Sequence, residues 1–302
     1  MRALVVGYGS IGERHVHVLR SMGLSVDILS RHLPGHEGVF ADLEAALERK
    51  PDYVVVANAT AEHGDTVDAL ATHKFSGLLL VEKPLFASPR MLPSNKFRAA
   101  FVGYNLRFHP LMQEVRRRVG DHGALSVHAY VGQYLPHWRP RTDYRNGYSA
   151  SSVKGGGALR DLSHELDYLV WLFGQWIRLS AIGGRVSDLE ISADDTYSVL
   201  LEMERAPIVS VAMNYLDTVH QRLLTTNLRG HTIVADLVSG VMRADSQSHH
   251  AKVDPDHTYT AQHRAVLEGR HEELCSFSSA VGIVEMISAI ERASESGEWI
   301  RQ

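Results

Sequence analysis

The chain of 302 residues has little cysteine and no long apolar run, and each absence narrows the class of protein to which it can belong. A single cysteine, Cys275, excludes an intramolecular disulfide and favours a reducing compartment. No apolar run is long enough to cross a bilayer, and the N-terminus is typical of a core strand rather than of a signal peptide. We therefore expect a cytoplasmic protein with no membrane partner.

The excess of one sign of charge is also small, since the net charge is −4 with histidine neutral. Such a balance gives no general affinity for polyanions, so we expect no nucleic-acid partner. The 18 histidines are many but scattered. His249-His250 has no cysteine or carboxylate cluster beside it, so we interpret the pair as a solvated loop and predict no metal site.

The stretch that organises the chain is its start. An apolar run, Ala3 to Val6, leads directly into the Gly-x-Gly-x-x-Gly motif Gly7-Tyr8-Gly9-Ser10-Ile11-Gly12, and a helical pattern follows. Strand, tight turn and helix in this order suit the pyrophosphate of a dinucleotide. The first glycine permits the turn, the second lets the backbone approach the phosphates, and the third allows close helix–strand packing. The alternative is a glycine-rich turn with no ligand.

The end of the second strand-like segment bears on the choice of cofactor. In a dinucleotide fold, an acidic residue at this place holds the 2′-hydroxyl of NAD, whereas a nearby arginine accommodates the 2′-phosphate of NADP. Here Ser30-Arg31 occupies that place, and Asp27 comes too early in the strand. We predict NADP, with NAD as the alternative; a plain surface arginine at a strand end is the other interpretation of Arg31.

Strands and helices alternate through the first hundred residues, as in a doubly wound parallel sheet. The apolar runs Tyr53 to Ala57 and Leu78 to Val81 are typical of parallel strands that are buried on both faces. Asn58 to Thr60, Glu82 to Pro84 and Tyr104-Asn105 follow such runs. Because ligands lie beyond the carboxyl ends of parallel strands, we expect these segments to line one crevice with the glycine motif.

The pattern changes after this point. Strand-like segments joined by short turns follow at 125–133, 177–186, 196–203, 208–214, 222–228, 232–237 and 240–244. Short turns predict an antiparallel sheet. Helices are predicted at about 109–119, 162–173, 260–275 and 279–296. The fold class is therefore α/β, with a Rossmann domain at 1–104 and an α+β domain with a large, mostly antiparallel sheet at 105–302.

A second glycine run, Gly155 to Gly157, precedes a helix with several titratable groups. Leu162, Leu166, Leu169 and Phe173 share the face expected in the core, and Asp161, His164, Glu165 and Tyr168 share another. A polar face of this kind suits acid–base chemistry, with His164 as the proton carrier. Two alternatives stay open, since Asp161 could cap the helix and His164 could be structural.

Lys83 follows a central strand inside the predicted crevice. A partly desolvated lysine beside a cofactor is well placed to hold a substrate oxygen and to help move its proton. A lysine in solvent, before a proline that stops the strand, is the alternative.

Together these motifs resemble the Gfo/Idh/MocA family of NAD(P)-dependent sugar and inositol oxidoreductases, over nearly the whole chain. The carriers are Gly7 to Gly12, Asn58-Ala59-Thr60 with His63, Glu82-Lys83-Pro84, Gly103 to Phe108 and Gly155 to Asp167. The resemblance implies hydride transfer to or from nicotinamide, and a homodimer or homotetramer formed through the open face of the second sheet. It also implies that Lys83 and His164 are the catalytic pair and that Asp161 is the motif aspartate.

Two departures from the family pattern stand out. Asp161 and His164 are three residues apart, whereas the family usually spaces them four apart, which weakens the role of Asp161 more than that of His164. The segment from Leu85 to Arg98 is short and carries Pro89 and Pro93, so we expect a turn or a loop where family members usually have a helix.

The segment from Val131 to Ser149 resembles a subset of the family that is linked to bacterial surface-sugar and nonulosonic acid pathways. Its aromatic side chains offer faces to sugar rings, and its arginines offer donors to carboxylate or phosphate. With Arg141 also in view, an anionic or nucleotide-linked sugar is the predicted substrate. An arm that packs on a neighbouring subunit is the alternative.

The predicted cofactor-binding residues are Gly7, Tyr8, Gly9, Ser10, Ile11, Gly12, Ser30, Arg31, Asn58, Thr60, His63, Glu82, Lys83, Pro84 and Asn105. The predicted substrate-binding residues are Arg107, Tyr134, Trp138, Arg139, Arg145, Tyr148 and His164, and the predicted catalytic residues are Lys83, His164 and Asp161. A dinucleotide-binding regulator without enzyme activity is the competing function, although such relatives tend to lose Lys83 or His164. A third interpretation is an enzyme that recycles a tightly held cofactor.

Overall fold

The computed structural model describes residues 1–31, 33, 36–139 and 142–302. It divides into two compact units, Met1–Phe108 with Pro255–Val284 and His109–Asp254 with Glu285–Gln302. Each unit is built around its own sheet.

The first part of the first unit alternates strands and helices. The strands are β1 (Arg2–Val6), β2 (Ser25–Leu29), β3 (Val39–Phe40), β4 (Tyr53–Val56), β5 (Leu78–Val81) and β6 (Ala99–Val102), and the helices are α1 (Ser10–Ser21), α2 (Leu43–Glu48) and α3 (His63–Thr72). These strands are parallel, in the order β6-β5-β4-β1-β2-β3. This confirms the predicted doubly wound sheet. The order reverses between β1 and β4, the point at which such sheets bind ligands.

The apolar runs explain why these strands form the centre of the sheet. Every residue of β4 and β5 is buried, as expected for strands covered on both faces. Helix α2 begins after Asp42, whose carboxylate accepts a hydrogen bond from the amide of Ala45 at 2.9 Å. Residues 85–98 form neither a helix nor a strand, which confirms the predicted loop.

The second unit contains the strands β7 (Ser126–Gly132), β8 (Trp176–Gly184), β9 (Thr196–Met203), β10 (Ala206–Asn214), β11 (Gln221–Asn227), β12 (Thr232–Asp236), β13 (Val241–Ala244) and β14 (Gln247–His250), with the helices α4 (Pro110–Val119), α5 (Ala158–Asp161) and α6 (His164–Phe173). The strand order is β14-β13-β12-β11-β7-β10-β9-β8. All neighbours are antiparallel except β7 and β10, so the prediction of a mostly antiparallel sheet is confirmed.

One face of this sheet carries exposed apolar side chains. Along β9, Val199 and Leu201 are buried, whereas Leu200 between them is 53% exposed. Ile182 on β8 is 83% exposed, and Ile208 on β10 is 59% exposed. The alternation puts one set of side chains in the core and leaves the other set uncovered within the chain.

The last part of the chain serves both units. It forms α7 (His257–Glu268), β15 (Cys275–Ser276), α8 (Phe277–Ser296) and β16 (Ile300–Arg301). Strand β15 pairs antiparallel with β6 at the edge of the first sheet, and β16 pairs with β8 at the edge of the second. The sequence predicted a division at 104/105 into two continuous domains; it gave no sign that Pro255–Val284 returns to the first unit.

The interpretation of His249-His250 as a loop was wrong, because both residues belong to the edge strand β14. The imidazole Nε2 of His249 lies 2.8 Å from a guanidinium nitrogen of Arg118 on α4. Four polar residues gave this short strand no apolar alternation to detect. Among the helices of the described residues, none has the length and apolar character needed to cross a membrane.

Candidate active site

The turn after β1 contains three glycines. Gly7 and Gly12 lie close against backbone atoms, whereas Gly9 faces open space. Gly7 has a φ of +95°, and a Cβ there would lie 2.6 Å from the backbone nitrogen of Asn58. A Cβ at Gly12 would lie 2.2 Å from the carbonyl oxygen of Gly7. At Gly9, no described atom lies within 4 Å of the Cβ position. The open place is the one where a pyrophosphate would approach the backbone.

Helix α1 presents its N-terminus at this open place. It begins at Ser10, and the residue before it, Gly9, makes no side-chain cap to the helix. The first backbone N–H groups and the positive end of the helix dipole fit an anionic ligand. Tyr8 and Ile11 are half-buried beside the turn, whereas Gly9 and Ser10 are exposed. The residues present therefore fit the phosphates of a dinucleotide.

Asn58 lies at the end of β4, next to Gly7. Its amide nitrogen donates to the hydroxyl of Thr66 at 2.9 Å and to Glu62 at 3.1 Å. Its buried carboxamide oxygen has no hydrogen-bond partner among the described residues. A buried acceptor without a donor is uncommon in folded proteins, so this atom fits a donor on a ligand. Thr60, two residues on, is buried.

His63 braces the ends of β4 and β5 and is itself buried. Its Nδ1 lies 3.0 Å from the carbonyl oxygen of Pro84, and its Nε2 lies 3.2 Å from that of Asn58. Burial lowers the pKa of His63 and outweighs these carbonyl contacts, so the ring is neutral and donates through one nitrogen. We assign the proton to Nδ1, which makes the shorter contact.

Glu82 and Lys83 follow β5. Glu82 is buried and Lys83 is half-buried. The backbone nitrogen of Lys83 donates to one carboxylate oxygen of Glu82 at 3.1 Å, and the other oxygen lies 2.9 Å from His15 Nε2. Although burial opposes ionisation, the hydrogen bond from His15 and the charge of Lys83 lower the pKa of Glu82. The Lys83–Pro84 peptide is cis.

The end of β2 carries the predicted cofactor selector. Ser30 is buried, and its amide donates to the carbonyl of Phe40 at 2.9 Å, while Arg31 is exposed. Asp27 lies mid-strand, and its carboxylate forms an ion pair with Arg2 at 2.8 Å. Asp27 is thus engaged away from the strand end, as the sequence suggested.

Two further predicted residues follow β6. Asn105 is buried, and its amide donates to the hydroxyl of Thr258 on α7 at 2.8 Å. Arg107 is 4% exposed, and its guanidinium donates to the carbonyl of Leu274 at 3.0 Å. Both side chains bind the returning segment of the first unit, a placement that the sequence pattern did not suggest.

In the second unit, the glycine run lies against the protein itself. A Cβ at Gly156 would lie 2.2 Å from the carbonyl oxygen of Tyr148. Gly157 has a φ of +122°, and a Cβ there would lie 2.1 Å from a carboxylate oxygen of Asp194. That carboxylate accepts from the amide of Leu159 at 2.8 Å. Burial raises the pKa of Asp194 to about 6, despite this bond.

Asp161 ends α5, and its carboxylate accepts from two tyrosines. The hydroxyl of Tyr148 lies at 2.7 Å and that of Tyr215 at 2.6 Å. Burial first, and then the charge of Asp161, raise the pKa of both tyrosines well above the usual value, so both remain donors. Asp161 does not precede α6, because Ser163 does. The helix-cap interpretation of Asp161 is therefore wrong.

His164 is the first residue of α6 and is half-buried. The leucines predicted for the core, and Phe173, are buried. Glu165 and Tyr168, expected on a polar face, are also buried. Glu165 lies 3.0 Å from the guanidinium of Arg222. The polar face is thus an interior one, with its charge paired inside the second unit.

The aromatic arm before the glycine run contains the predicted substrate contacts. Trp138 donates to the carbonyl of Gln133 at 3.1 Å, and its ring meets the Tyr215 ring edge-on at 5.1 Å. Trp138 and the exposed Arg139 line a small surface pocket, whereas Arg145 forms ion pairs with Asp143 and Glu190. The remaining predicted contact, Tyr134, is half-buried and meets the ring of His137 edge-on. Arg141 lies outside the described residues.

Sequence reasoning missed several residues of these sites. Tyr215 directly follows β10, and its place at a strand end was the available signal. Arg222 lies on β11, and nothing in its neighbourhood along the chain pointed to Glu165. His15 was visible only as a histidine on the apolar face of α1, and its partner His263 lies 248 residues away.

The comparisons with known proteins identify the families to which the two parts of the chain are similar. Residues 1–103 match "Oxidoreductase family, NAD-binding Rossmann fold", and residues 113–234 match "GFO/IDH/MocA C-terminal domain". No curated protein matches the chain in sequence.

Solved structures match over the whole length. GenD2 from gentamicin A biosynthesis, in complex with NAD, is 22% identical, with a TM-score of 0.80 and coverage of 100% of this chain and 96% of that one. Levoglucosan dehydrogenase with NADH is 14% identical, with a TM-score of 0.84 and coverage of 100% and 98%. UDP-N-acetylglucosamine 3-dehydrogenase GnnA from Acidithiobacillus ferrooxidans is 15% identical, with a TM-score of 0.75 and coverage of 98% of both chains. With both domain families matched over most of its length, the chain belongs to the GFO/IDH/MocA family of oxidoreductases with an NAD-binding Rossmann fold.

Proposed function

We propose that the protein oxidises a secondary alcohol of a sugar derivative, or reduces the corresponding ketone, with a nicotinamide dinucleotide. The observation that carries this proposal is the open place at Gly9, before the uncapped start of α1. Family membership supports the redox class. The names of two structurally similar proteins, dehydrogenases of levoglucosan and of UDP-N-acetylglucosamine, support a carbohydrate substrate.

Nicotinamide, when bound, would donate or accept the hydride. The chain must then move the proton of the reacting oxygen, which needs a donor or acceptor within about 3 Å. We assign the proton transfer to His164, a half-buried imidazole at the start of a helix, because histidine changes charge near neutral pH. We assign to Lys83 the part of a cation that holds and polarises the same oxygen.

Asp161 has a smaller part in this proposal. Both of its carboxylate oxygens already accept hydrogen bonds from Tyr148 and Tyr215. We infer that Asp161 holds the arm and the start of α6 in place rather than exchanging protons with the substrate. The spacing of three between Asp161 and His164 supports the same assignment.

We propose an anionic or nucleotide-linked sugar as the substrate. Arg139 is exposed at the pocket that Trp138 also lines, so it can offer donors to a carboxylate or phosphate beside an aromatic face. Arg145 contributes less, since Asp143 and Glu190 already neutralise it. We propose NADP(H) as the preferred cofactor, because Arg31 is exposed after β2 and Asp27 is paired with Arg2.

We also propose a cytoplasmic homodimer or homotetramer that forms through the open sheet face. Ile182, Leu200 and Ile208 are more than half exposed there, and exposed apolar patches on sheets favour association. Sedimentation of the wild type and of the double variant Ile182→Asp, Leu200→Asp tests this. The variant should be a monomer if the proposal holds, and an unchanged oligomer would contradict it.

The test of the function is hydride transfer by the purified protein, followed by nicotinamide absorbance. A panel of nucleotide sugars, sugar acids and neutral sugars is offered with NADP⁺ and NAD⁺, and with the reduced cofactors for the keto forms. Turnover of an anionic or nucleotide-linked member supports the proposal. Dinucleotide binding without turnover of any member would contradict it and would favour a regulator.

A further inference from the structure

Four buried polar side chains of the first unit form a hydrogen-bonded chain that ends at Glu82, the residue before Lys83. The hydroxyl of Tyr53 lies 2.8 Å from Nδ1 of His263, and Nε2 of His263 lies 2.8 Å from Nδ1 of His15. Nε2 of His15 lies 2.9 Å from Glu82. Tyr53, His15 and His263 are 0% exposed, so no bulk water takes part.

This hydrogen-bonded chain joins elements that are far apart in sequence. Tyr53 lies on β4, His263 on α7, His15 on α1 and Glu82 at the end of β5. Helix α1 is the one whose N-terminus presents the open place at Gly9. The carboxylate at the other end of the chain accepts from the backbone nitrogen of Lys83 at 3.1 Å. The hydrogen-bonded chain thus runs from β4, through α7 in the returning segment and then α1, to the backbone of Lys83.

Hydrogen bonding assigns one direction to the chain. An ionised Glu82 only accepts, so the proton on His15 must be on Nε2, and Nδ1 of a neutral His15 accepts from Nε2–H of His263. Nδ1 of His263 then accepts from the hydroxyl of Tyr53. Among the described residues, this hydroxyl has no other hydrogen-bond partner, so the reverse direction would leave its hydrogen unused. The neutral, one-directional chain satisfies every member.

The Glu82 carboxylate has little freedom to turn. A Cβ at Gly103 would lie 2.8 Å from the oxygen that His15 holds, so the backbone there packs directly against it. With one oxygen on His15 and the other on the Lys83 amide, the carboxylate is fixed on both sides. A buried polar chain of this length costs stability unless each group is bonded, and apolar residues would fill the space at lower cost. The chain ends at Glu82, directly before Lys83.

We propose that His15 and His263, oriented by Tyr53, are positioning residues for Lys83: they fix the Glu82 carboxylate, and Glu82 fixes the backbone of Lys83 at the end of β5. This rests on the proposed function, in which Lys83 holds the reacting oxygen. The residues act through Glu82 and touch neither substrate nor cofactor. Burial lowers the pKa of His263 well below the usual value and raises that of Tyr53, so His263 is neutral and Tyr53 keeps its hydroxyl hydrogen.

Other titratable groups face the chain and must be considered in any pH profile. His63 contacts the carbonyl of Pro84, and its ring feels the charge of Glu82. Tyr259 meets the ring of His15 edge-on at 5.7 Å, and the guanidinium of Arg14 lies 5.2 Å from the centre of the Tyr259 ring. Burial lowers the pKa of both His63 and His263, so these two rings are neutral near pH 7.

Two measurements that do not need activity come first. Imidazole nitrogen shifts in the full chain should show that the neutral forms of His15 and His263 carry their proton on Nε2 and not on Nδ1. In Tyr53→Phe, His263 loses the donor that fixes its tautomer, and the amide of Lys83 should exchange its hydrogen about tenfold faster or more. The control is Tyr197→Phe, a buried tyrosine on β9 of the second unit, which should leave both signals unchanged.

Activity then separates positioning from packing. Tyr53→Phe and His15→Leu should lower kcat about tenfold to a hundredfold, with little change in the KM for dinucleotide, and His15→Gln should restore part of the rate because it keeps a donor for Glu82. The acid limb of the kcat profile should move to higher pH in His15→Leu, because Glu82 loses the donor that lowers its pKa.

The proposal would be overturned if Tyr53→Phe and His15→Leu had the same kcat and the same exchange rate of the Lys83 amide hydrogen as the wild type. A neutral His15 with its proton on Nδ1 would also overturn it. If the wild type transfers no hydride at all, the proposed function fails, and the tautomers and the Lys83 exchange still decide whether the chain fixes this backbone.

Discussion

The two glycine runs look alike in sequence and serve different purposes in the structure. Gly156 and Gly157 leave room for the protein, since a side chain at either would meet the carbonyl of Tyr148 or the carboxylate of Asp194. At Gly9 no described atom occupies the place of a side chain. The open space beside Gly9, at the N-terminus of α1, leaves room for a ligand, whereas Gly156 and Gly157 lie against other parts of the protein. This comparison separates the proposed dinucleotide site of the first unit from the packed glycine run of the second.

The largest expected effect is that of replacing His164, the first residue of α6 in the second unit. His164→Ala should lower single-turnover hydride transfer by about 10²–10⁴-fold, since a general acid–base group contributes about that much, while cofactor affinity stays nearly the same. Lys83→Ala should do likewise, and Asp161→Asn should do less because Asp161 holds tyrosines. Stopped-flow nicotinamide absorbance measures all three. Wild-type transfer in His164→Ala across pH 6 to 9 would remove histidine from the mechanism.

The next effect tests the packing half of the comparison. Gly157→Ala forces a side chain into a φ of +122° and against Asp194, so the free energy of unfolding should fall by about 2–4 kcal/mol. Urea denaturation measures it, with Gly9→Ala as the matched control, which should differ from wild type by less than about 1 kcal/mol because Gly9 has a φ of −79° and open space. Equal losses in the two variants would break the comparison.

The choice between NADP(H) and NAD(H) tests the proposed dinucleotide site of the first unit. The Arg31→Ala variant should lose about 1.5–3 kcal/mol of NADP(H) affinity, one to two decades, and little NAD(H) affinity, because only the 2′-phosphate meets the guanidinium. Titration calorimetry with both cofactors measures this. The prediction is wrong if NAD(H) binds the wild type as tightly as NADP(H) does.

The smallest effect concerns pH. Asp194 has a folded pKa of about 6, above the usual value of 3.8, so its ionised form costs stability above pH 6 and this cost is released as the pH falls through 6 towards 4. The free energy of unfolding of Asp194→Asn, relative to wild type, should therefore gain about 1–3 kcal/mol at pH 7.5 compared with pH 4.5. Thermal and urea unfolding at the two values measure it. A pH-independent difference would contradict the raised pKa.

Sequence patterns predicted most of the fold, because buried parallel strands such as β4 and β5 are continuous apolar runs and the glycine motif follows β1 directly. They failed where the partner is distant in the chain. Nothing near Asp161 pointed to Tyr215, and nothing near Glu82 pointed to His263. The edge strand β14 is polar and short, so tertiary pairing rather than local pattern places it. The return of Pro255–Val284 to the first unit likewise depends on pairing between β15 and β6.

The most direct test of the central claim is dinucleotide titration of Gly9→Val beside the wild type. The φ of −79° and the open space should let the Gly9→Val protein fold without strain, which urea denaturation can verify. The valine side chain should then occupy the proposed place of the phosphates. We predict that the wild type binds NADPH and that the Kd of Gly9→Val is higher by about tenfold to a hundredfold, the loss of one charged hydrogen bond or more. A folded Gly9→Val protein that binds NADPH as tightly as the wild type would contradict the account.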